Sequence, residues 1–153
     1  MSSEATTVEL GNPRDAAATA LLQASHALMQ SLFPAESNHY LSVDALCTDD
    51  IRFFVAKVGG SVLGCGALAL RDNYGEVKSM FVDPAARGSG LGIRLLKRIE
   101  EEAHKEDLPL LRLETGGKLH SAHKMYEGFG FIRRGPFGDY PDDPNSLFME
   151  KPL

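Results

Sequence analysis

Three alternating glycines, Gly88, Gly90 and Gly92, have the residue type and spacing in this sequence that best fit a chemical role. They come directly after Arg87. Residues 75–82, before them, alternate as a strand does, and the segment after them has helical periodicity. At a helix N-terminus the first N–H groups lack intrahelical partners and the helix dipole is positive, so an anion is stabilised there. Glycine has no Cβ, so a phosphate can approach the backbone closely, and an arginine adds a charge-assisted contact. The segment therefore predicts a loop that binds phosphate or pyrophosphate.

The glycine spacing discriminates among phosphate-binding loops. A nucleoside triphosphate loop requires Lys and then Ser or Thr after its last glycine, whereas Gly92 is followed by Ile93 and Arg94. A dinucleotide loop requires Gly-x-Gly-x-x-Gly, which this spacing does not supply. The pattern Arg-x-x-Gly-x-Gly, after a strand ending in Val-x-Pro, resembles the coenzyme A pyrophosphate loop of the GNAT family of N-acetyltransferases. A glycine-rich turn without a ligand is the alternative, but it would not require three glycines at a helix start.

A second motif over residues 122–131 extends the resemblance. It consists of a helix with Ala122 four residues before Tyr126, followed by Gly-Phe. Two motifs at this separation are more specific than either alone. In the family, the Tyr at this position directs its hydroxyl at the coenzyme sulfur and acts as a general acid, so the resemblance implies that role for Tyr126. The alternative is an aromatic residue packed in the core. Leu119 departs from the family pattern, in which many members carry an Asn that contacts the coenzyme arm.

The resemblance implies acetyl-CoA as co-substrate, with no metal. A bulge in the family's corresponding strand frees a backbone N–H that stabilises the thioester oxyanion, and the matching positions are residues 80–82, with Met80 as the catalytic position. Removing one such donor typically lowers the rate by on the order of a hundredfold or more. The residues predicted to contact the coenzyme are Met80, Phe81, Val82, Arg87, Gly88, Ser89, Gly90, Leu91, Gly92 and Tyr126.

Two carboxylates are candidates for the catalytic base. A protonated primary amine has a pKa of about 10 and no free lone pair, so its attack on a thioester requires a base or a site that lowers that pKa. Glu76 corresponds by position to the glutamate that many family members use. Its alternative role is a surface ion pair with Lys78, two residues away on the same strand face. Glu114 is the second candidate, because its strand is expected to lie beside that of Glu76.

The acceptor pocket is predicted from two irregular segments, residues 34–40 and 137–144, where this family builds it. In the first segment Glu36 and His39 are candidates to bind polar substrate atoms. In the second, Tyr140, Asp142 and Asp143 are candidates to attract an ammonium group. The alternative role of the two aspartates is turn formation. Glu114 also belongs to this predicted substrate-binding set. The predicted reaction moves an acetyl group to a primary amine of a small molecule by direct attack on the thioester.

The order of predicted elements indicates the fold class. The 153 residues fit one N-acetyltransferase domain over residues 1–153, with a frayed N-terminus over residues 1–6. Strands are predicted at residues 8–11, 51–58, 62–70, 75–82, 110–114, 129–133 and 146–151. Helices are predicted at residues 16–32, 91–103 and 121–127. This order predicts an α/β (α+β) fold of the family type, with a mixed, mostly antiparallel sheet and helices on both faces.

Composition excludes several classes of function. The net charge of −5, from 16 basic and 21 acidic residues, opposes nucleic-acid binding as the main activity. The sequence has no membrane-length apolar run, its first seven residues do not have the pattern of a secretory signal, and Cys47 and Cys65 form no metal or redox pattern. These features predict a cytoplasmic protein without a membrane partner. Family members often pair through terminal strands, so the resemblance implies a homodimer. A coenzyme-binding sensor or partner-binding module without turnover is the alternative function, which the joint presence of Glu76 and Tyr126 argues against.

Overall fold

Seven strands form one mixed sheet in the computed structural model, which describes residues 5–153. The strands are β1 (Thr6–Leu10), β2 (Ile51–Val58), β3 (Ser61–Arg71), β4 (Tyr74–Val82), β5 (Leu110–Gly116), β6 (Ile132–Arg134) and β7 (Ser146–Pro152). The helices are α1 (Ala16–Leu32), α2 (Leu91–Lys105) and α3 (His120–Gly128). The sheet order is β1-β2-β3-β4-β5-β7-β6, and only β4 and β5 pair in parallel. The predicted fold class is confirmed.

Two predicted boundaries change. Thr6 pairs with Val58 in β1, so it is not frayed, whereas residues 1–4 of the predicted frayed segment lie outside the described residues. The strand predicted at residues 129–133 is wrong in its first half. Gly130 adopts a φ of 109°, and the N–H of Phe131 returns to the Tyr126 carbonyl at 3.0 Å. This helix-terminating turn buries the Phe131 ring in the core and delays the strand until Ile132.

Apolar side chains of the sheet divide between its two faces. On one face, α2 buries an apolar stripe against β2 to β5, as the recurrence of its apolar residues every fourth position predicts. The stripe consists of Leu91, Leu95, Leu96, Ile99 and Ala103. On the other face, α1 packs through Leu21 and Leu22 against Phe53 and Ala67. Val77 faces α2, so its neighbours Glu76 and Lys78 face α1.

The sheet splits where β4 and β5 part. The two strands pair only from Gly75 opposite Leu111 to Val77 opposite Leu113, although both continue well beyond that point. Parting strands leave their backbones and side chains open to a ligand. The sheet thus carries a cleft between β4 and β5, flanked by α1 on one face and by α3 on the other.

A bulge in β4 lies at this split. Ala67 pairs with Lys78 and Cys65 pairs with Phe81, so two residues of β4, Ser79 and Met80, stand opposite one residue of β3. Ser79 has a φ of 57°, in the left-handed region. The extra residue reverses the alternation of side chains along the strand. The irregularity therefore begins one residue before the predicted positions 80–82.

Candidate active site

The glycine loop presents open backbone at the start of α2. Gly88 and Gly90 have φ angles of 81° and 85°, and a Cβ built at either would meet no atom within 4 Å. Both positions therefore favour glycine for backbone conformation, and their exposed faces leave room for a bulky anion. Gly90 is the N-cap of α2, so the N–H groups of the first helical turn have no intrahelical acceptors. The loop fits a pyrophosphate group by its geometry and by the sign of the helix dipole.

Gly92 serves helix packing. A Cβ at this position would lie 2.5 Å from Sδ of Met125, on α3. The missing side chain lets α3 approach α2 closely, which brings Tyr126, the next residue of α3, toward the start of α2. Of the three predicted loop glycines, two shape the exposed backbone and the third sets the distance between helices.

Arg87 and Ser89 border the loop. The Arg87 Nε donates to the Val82 carbonyl oxygen at 3.2 Å, and the guanidinium lies 5.6 Å from the centroid of the Phe81 ring. The Ser89 hydroxyl donates to the Ala86 carbonyl oxygen. The Arg87 contacts tie the loop back to the end of β4, and the Ser89 contact lies within the loop. The exposed Arg87 side chain is thereby held beside the open glycine backbone.

A cavity occupies the split between β4 and β5, with about 680 Å³ of space including its open mouth. It is lined by Ser25, Met29, Phe33, residues 37–40, residues 77–80, residues 114–116, Leu119 and Tyr126. Four predicted site residues meet there: His39, Met80, Glu114 and Tyr126. Glu36 is exposed and does not line the cavity. Leu119, which replaces the family's Asn, contributes an apolar wall.

Glu76 lies behind the cavity wall and is only 3% exposed. Its Oε1 accepts a hydrogen bond from Arg71 Nε at 3.3 Å, and its Oε2 accepts one from the Tyr140 hydroxyl and lies 3.6 Å from Lys78 Nζ. Both carboxylate oxygens are therefore engaged. The ion pair with Lys78 exists, but it is buried, contrary to the surface pair considered from the sequence.

Lys78 reaches the cavity wall, and the sequence interpretation assigned it no role there. Its Nζ donates to the His39 carbonyl oxygen at 3.0 Å and to the Tyr140 hydroxyl at 2.8 Å. The Lys78 side chain is 8% exposed. Strand alternation places Lys78 on the same face as Glu76, and this was the available signal. The depth of its burial depends on the segments that supply His39 and Tyr140.

Glu114 is the one Asp or Glu among the described residues that line the cavity. Burial raises the pKa of its carboxyl, and the charge of Lys78 opposes part of that increase. In the β4–β5 register, Glu76 lies opposite Arg112 and Val77 lies opposite Leu113. The next residues of the two strands, Lys78 and Glu114, therefore lie on neighbouring strands just past the split. A carboxyl with a raised pKa in a cavity is typical of an acid–base group.

Tyr126 is buried on α3 and borders the same cavity. Burial and the charge of Glu114 raise the pKa of its hydroxyl, so that hydroxyl keeps its proton throughout the neutral range. The ring also packs edge-on against Phe131, with centroids 5.7 Å apart. The two interpretations of this residue, a core aromatic and a proton donor at the site, are compatible in this geometry.

The two irregular segments predicted to form the acceptor pocket contact each other. The Ser37 hydroxyl donates to Asp143 Oδ2 at 2.5 Å, and the backbone N–H of Asn145 donates to Asp143 Oδ1 at 2.8 Å. These bonds lower the pKa of Asp143. Asp143 therefore holds the two segments together, in keeping with its turn-forming alternative role. The same segment carries Tyr140, whose hydroxyl contacts Lys78.

Cys65 offers no nucleophile at the site. Its thiol is fully buried and donates to the Ser79 carbonyl oxygen at 3.3 Å, and burial raises its pKa to about 12. The reactive thiolate is therefore scarce at neutral pH. Within residues 5–153 no cluster of three or more His, Cys, Asp or Glu side chains is arranged for a metal ion. No helix in the same range is both long and apolar enough to cross a bilayer.

Comparisons with known proteins bear on the family and the fold of this chain. The model of the acetyltransferase (GNAT) family matches residues 19–131. The IAA acetyltransferase of Azospirillum brasilense is 48% identical over 149 residues, which cover 96% of this chain and 97% of that protein. A Klebsiella pneumoniae crystal structure, provisionally assigned as an acyl-CoA N-acyltransferase, is 35% identical with a TM-score of 0.82 over 97% of each chain. The PaiA N-acetyltransferase of Thermoplasma acidophilum, solved with coenzyme A, has the same fold at 15% identity, with a TM-score of 0.76 over 97% of this chain and 99% of that one.

Proposed function

Because the chain belongs to the acetyltransferase (GNAT) family and is an acetyl-CoA-dependent acetyltransferase, we propose that it acetylates a primary amine of a small molecule by direct attack on the thioester. One observation carries the proposal: Glu114, Tyr126 and the β4 bulge border a single cavity. That arrangement supplies a base, an acid and a backbone irregularity at one place. Neither Cys47 nor Cys65 is among the described residues that line this cavity, and burial raises the pKa of the Cys65 thiol to about 12.

The donor side is supported by the glycine loop. Arg87 and the backbone N–H groups of residues 88–92 would hold the pyrophosphate of acetyl-CoA at the start of α2. The bulge at Ser79 and Met80 would face the thioester arm, and a backbone N–H there would stabilise the oxyanion. Acetyl-CoA supplies the electrophilic carbonyl carbon, and the proton transfers fall on side chains that line this cavity.

Glu114 is the base in this proposal, in place of Glu76. The ammonium of the acceptor loses one proton to Glu114, directly or through a water molecule, and the freed lone pair attacks the thioester carbon. The C–S bond then breaks, and the second proton that the nitrogen loses balances the proton that the departing thiolate takes up. Glu114 lines the cavity, and its raised pKa brings its proton affinity closer to that of an effective base at neutral pH. Glu76 already binds Arg71, Lys78 and Tyr140 behind the wall. Its proposed role is to position Lys78 and Tyr140.

Tyr126 is the acid that protonates the departing thiolate. We expect Tyr126→Phe to lower kcat by about ten- to a hundredfold with a small change in KM, because a thiolate with a reference pKa near 8.5 needs only modest assistance. Steady-state kinetics on the purified variant measure this effect. Phenylalanine keeps the ring contact with Phe131, so thermal stability serves as the control. An unchanged kcat would leave Tyr126 with a packing role alone.

A thiol-release screen tests the proposed function. Amino acids, polyamines, aminoglycosides, aryl amines and IAA, the compound in the name of the Azospirillum relative, are each incubated with excess acetyl-CoA. We expect thiol release only with a matching amine, together with a product heavier by one acetyl group in mass spectrometry. Coenzyme binding is measured in parallel by calorimetry. Intact coenzyme binding without release for any acceptor would overturn the proposal and favour the sensor function.

We also propose a cytoplasmic location, which the two free cysteines support. Cys47 and Cys65 are both unpaired in the structure, and free thiols suit a reducing compartment. Fractionation of cells that express the tagged chain tests the location. Recovery of the protein outside the cytoplasmic fraction would contradict it.

A homodimer through an edge strand is the proposed assembly. The outer strands β1 and β6 carry exposed large apolar residues, Leu10 at 58% and Ile132 at 60% exposure. Edge strands have unpaired backbone groups that can pair with a second copy. Sizing at several protein concentrations tests this, and a monomer at every concentration would contradict it.

A further inference from the structure

We infer that the acceptor is a free α-amino acid, whose carboxylate binds to Lys78 and His39 while its amine faces Glu114. This inference rests on the proposed N-acetyltransferase function and names its substrate class. It comes from polar groups that the proposed reaction does not use. They lie on the cavity wall formed by β4 and residues 37–40.

Lys78 gives this wall a fixed positive charge. It is the one Lys or Arg among the described residues that line the cavity, and its Nζ is held by the His39 carbonyl and the Tyr140 hydroxyl. Its countercharge, Glu76, lies behind the wall and is shared with Arg71. Arg71 also pairs with the half-exposed Asp50 at 3.3 Å, where water weakens the attraction. A buried ammonium at a cavity wall is complementary to an anionic group of the ligand.

His39 and Ser79 provide unsatisfied polar atoms beside Lys78. Nε2 of His39 and Oγ of Ser79 are buried and have no hydrogen-bond partner among the described residues. Both residues line the cavity, and the His39 ring is held edge-on against Tyr140 with centroids 5.2 Å apart. Buried polar groups without partners cost free energy, which a ligand with acceptor oxygens recovers. A carboxylate accepts from Lys78 Nζ, from Ser79 Oγ, and from Nε2 in the tautomer that carries its proton there.

Glu114 and Lys78 together specify a zwitterion. They lie on neighbouring strands just past the split and on the same face of the sheet. In the described part of the chain, no ion pair within 4 Å joins them. A ligand with adjacent ammonium and carboxylate groups pairs with both. An amine without a carboxylate adds no anionic partner to Lys78 beyond Glu76, and an acid without an amine leaves Glu114 without a cationic ligand group. Because the two side chains stand on neighbouring strands, the ligand groups lie a few bonds apart, as in an α-amino acid.

Matched substrates test the carboxylate directly. Met29, Phe33 and Leu119 make the remaining walls apolar, so methionine and phenylalanine are compared with their decarboxylated amines and their primary amides. We expect kcat/KM for the amino acid to exceed that of the amine and the amide by about a hundredfold, the range of a charge-assisted hydrogen-bonded pair. Equal or better use of the decarboxylated amine would overturn the inference.

Variants of the wall give the matched control. We expect Lys78→Met to lower kcat/KM for the amino acid by about a hundredfold more than it lowers kcat/KM for the decarboxylated amine. Lys105→Met, an exposed lysine at the end of α2, is expected to change neither. Equal losses on both substrates with Lys78→Met would overturn the carboxylate assignment, while acetylation of the amines would still support the proposed function.

Two further measurements do not depend on the folding of the Lys78 variant. His39→Phe keeps an aromatic ring against Tyr140 and removes Nε2, and we expect about a tenfold loss on the amino acid alone. With the wild-type enzyme, the deaminated carboxylic acid is expected to inhibit competitively and its amide is not. Equal inhibition by acid and amide would overturn the inference. Tight binding of the amino acid without any acetylation would keep the carboxylate site and overturn the proposed function.

Discussion

Replacement of Glu114 by glutamine is expected to lower kcat/KM by about a thousandfold at pH 7 and to remove the acidic limb of the pH profile. General-base removal typically lowers rates by about a hundred- to ten-thousandfold. In the wild type the rate falls as pH drops, because protonated Glu114 cannot accept the amine proton. Burial raises the pKa of this carboxyl, so the acidic limb is expected above the ordinary glutamate value of 4.5. The pH dependence of kcat/KM with the best acceptor measures both effects.

The stability of Glu114→Gln shows whether a loss of activity comes from the missing base or from misfolding. The folded-state pKa of Glu114 is raised, so its contribution to stability is full below the unfolded pKa and is lost as pH rises through the folded pKa. We therefore expect Glu114→Gln to be at least as stable as the wild type at pH 8. A persistent acidic limb in a stable, active Glu114→Gln protein would rule out Glu114 as the base.

Glu76→Gln provides the contrasting variant. Breaking a buried ion pair is expected to lower the free energy of unfolding by about 3 kcal/mol, because Lys78 and Arg71 lose their charged partner. The acidic limb is expected to remain. Denaturant unfolding and the pH profile measure the two quantities on one sample. Loss of the acidic limb in this variant, with stability unchanged, would return the role of base to Glu76.

Substitution of Gly90 by alanine is expected to raise KM for acetyl-CoA by about thirtyfold with a small change in kcat. Gly90 has a φ of 85°, a conformation that costs an L-residue about 1 kcal/mol or more. The added methyl group would also stand on the open face where the pyrophosphate is proposed to approach the helix start. Steady-state kinetics with varied acetyl-CoA and calorimetry with coenzyme A measure the change.

Gly60→Ala is the matched control for this variant. Gly60 has a φ of 87° and open space around a Cβ, like Gly90, but it lies in the hairpin turn between β2 and β3. The two variants are expected to lose similar stability, about 1 kcal/mol, whereas only Gly90→Ala changes KM. Equal KM values for acetyl-CoA in both variants would contradict a pyrophosphate site at this loop.

Local patterns in the sequence determined the frame of the site. The glycines after Arg87 mark a strand-to-helix loop because positive φ angles require residues without a Cβ, and Gly88 and Gly90 have those angles. Strand alternation placed Glu76 on the face opposite Val77, since successive side chains point to opposite sides. Local backbone conformation and the spacing of apolar residues were enough for these predictions, as they were for the buried stripe of α2.

Long-range contacts decided what each residue can do. Alternation assigns a side chain to a face, but it does not say whether that side chain reaches a cavity or is covered. Tyr140, 64 residues from Glu76 in sequence, covers that carboxylate, whereas the parting of β4 and β5 lets Glu114 line the cavity. The sequence by itself determined the glycine loop before α2, the helix of Tyr126 and the order of the sheet, because these depend on backbone conformation and periodicity. Only the tertiary structure decided that Glu114 and Lys78 line the cavity and that Glu76 does not, because burial depends on which distant segments pack over each strand.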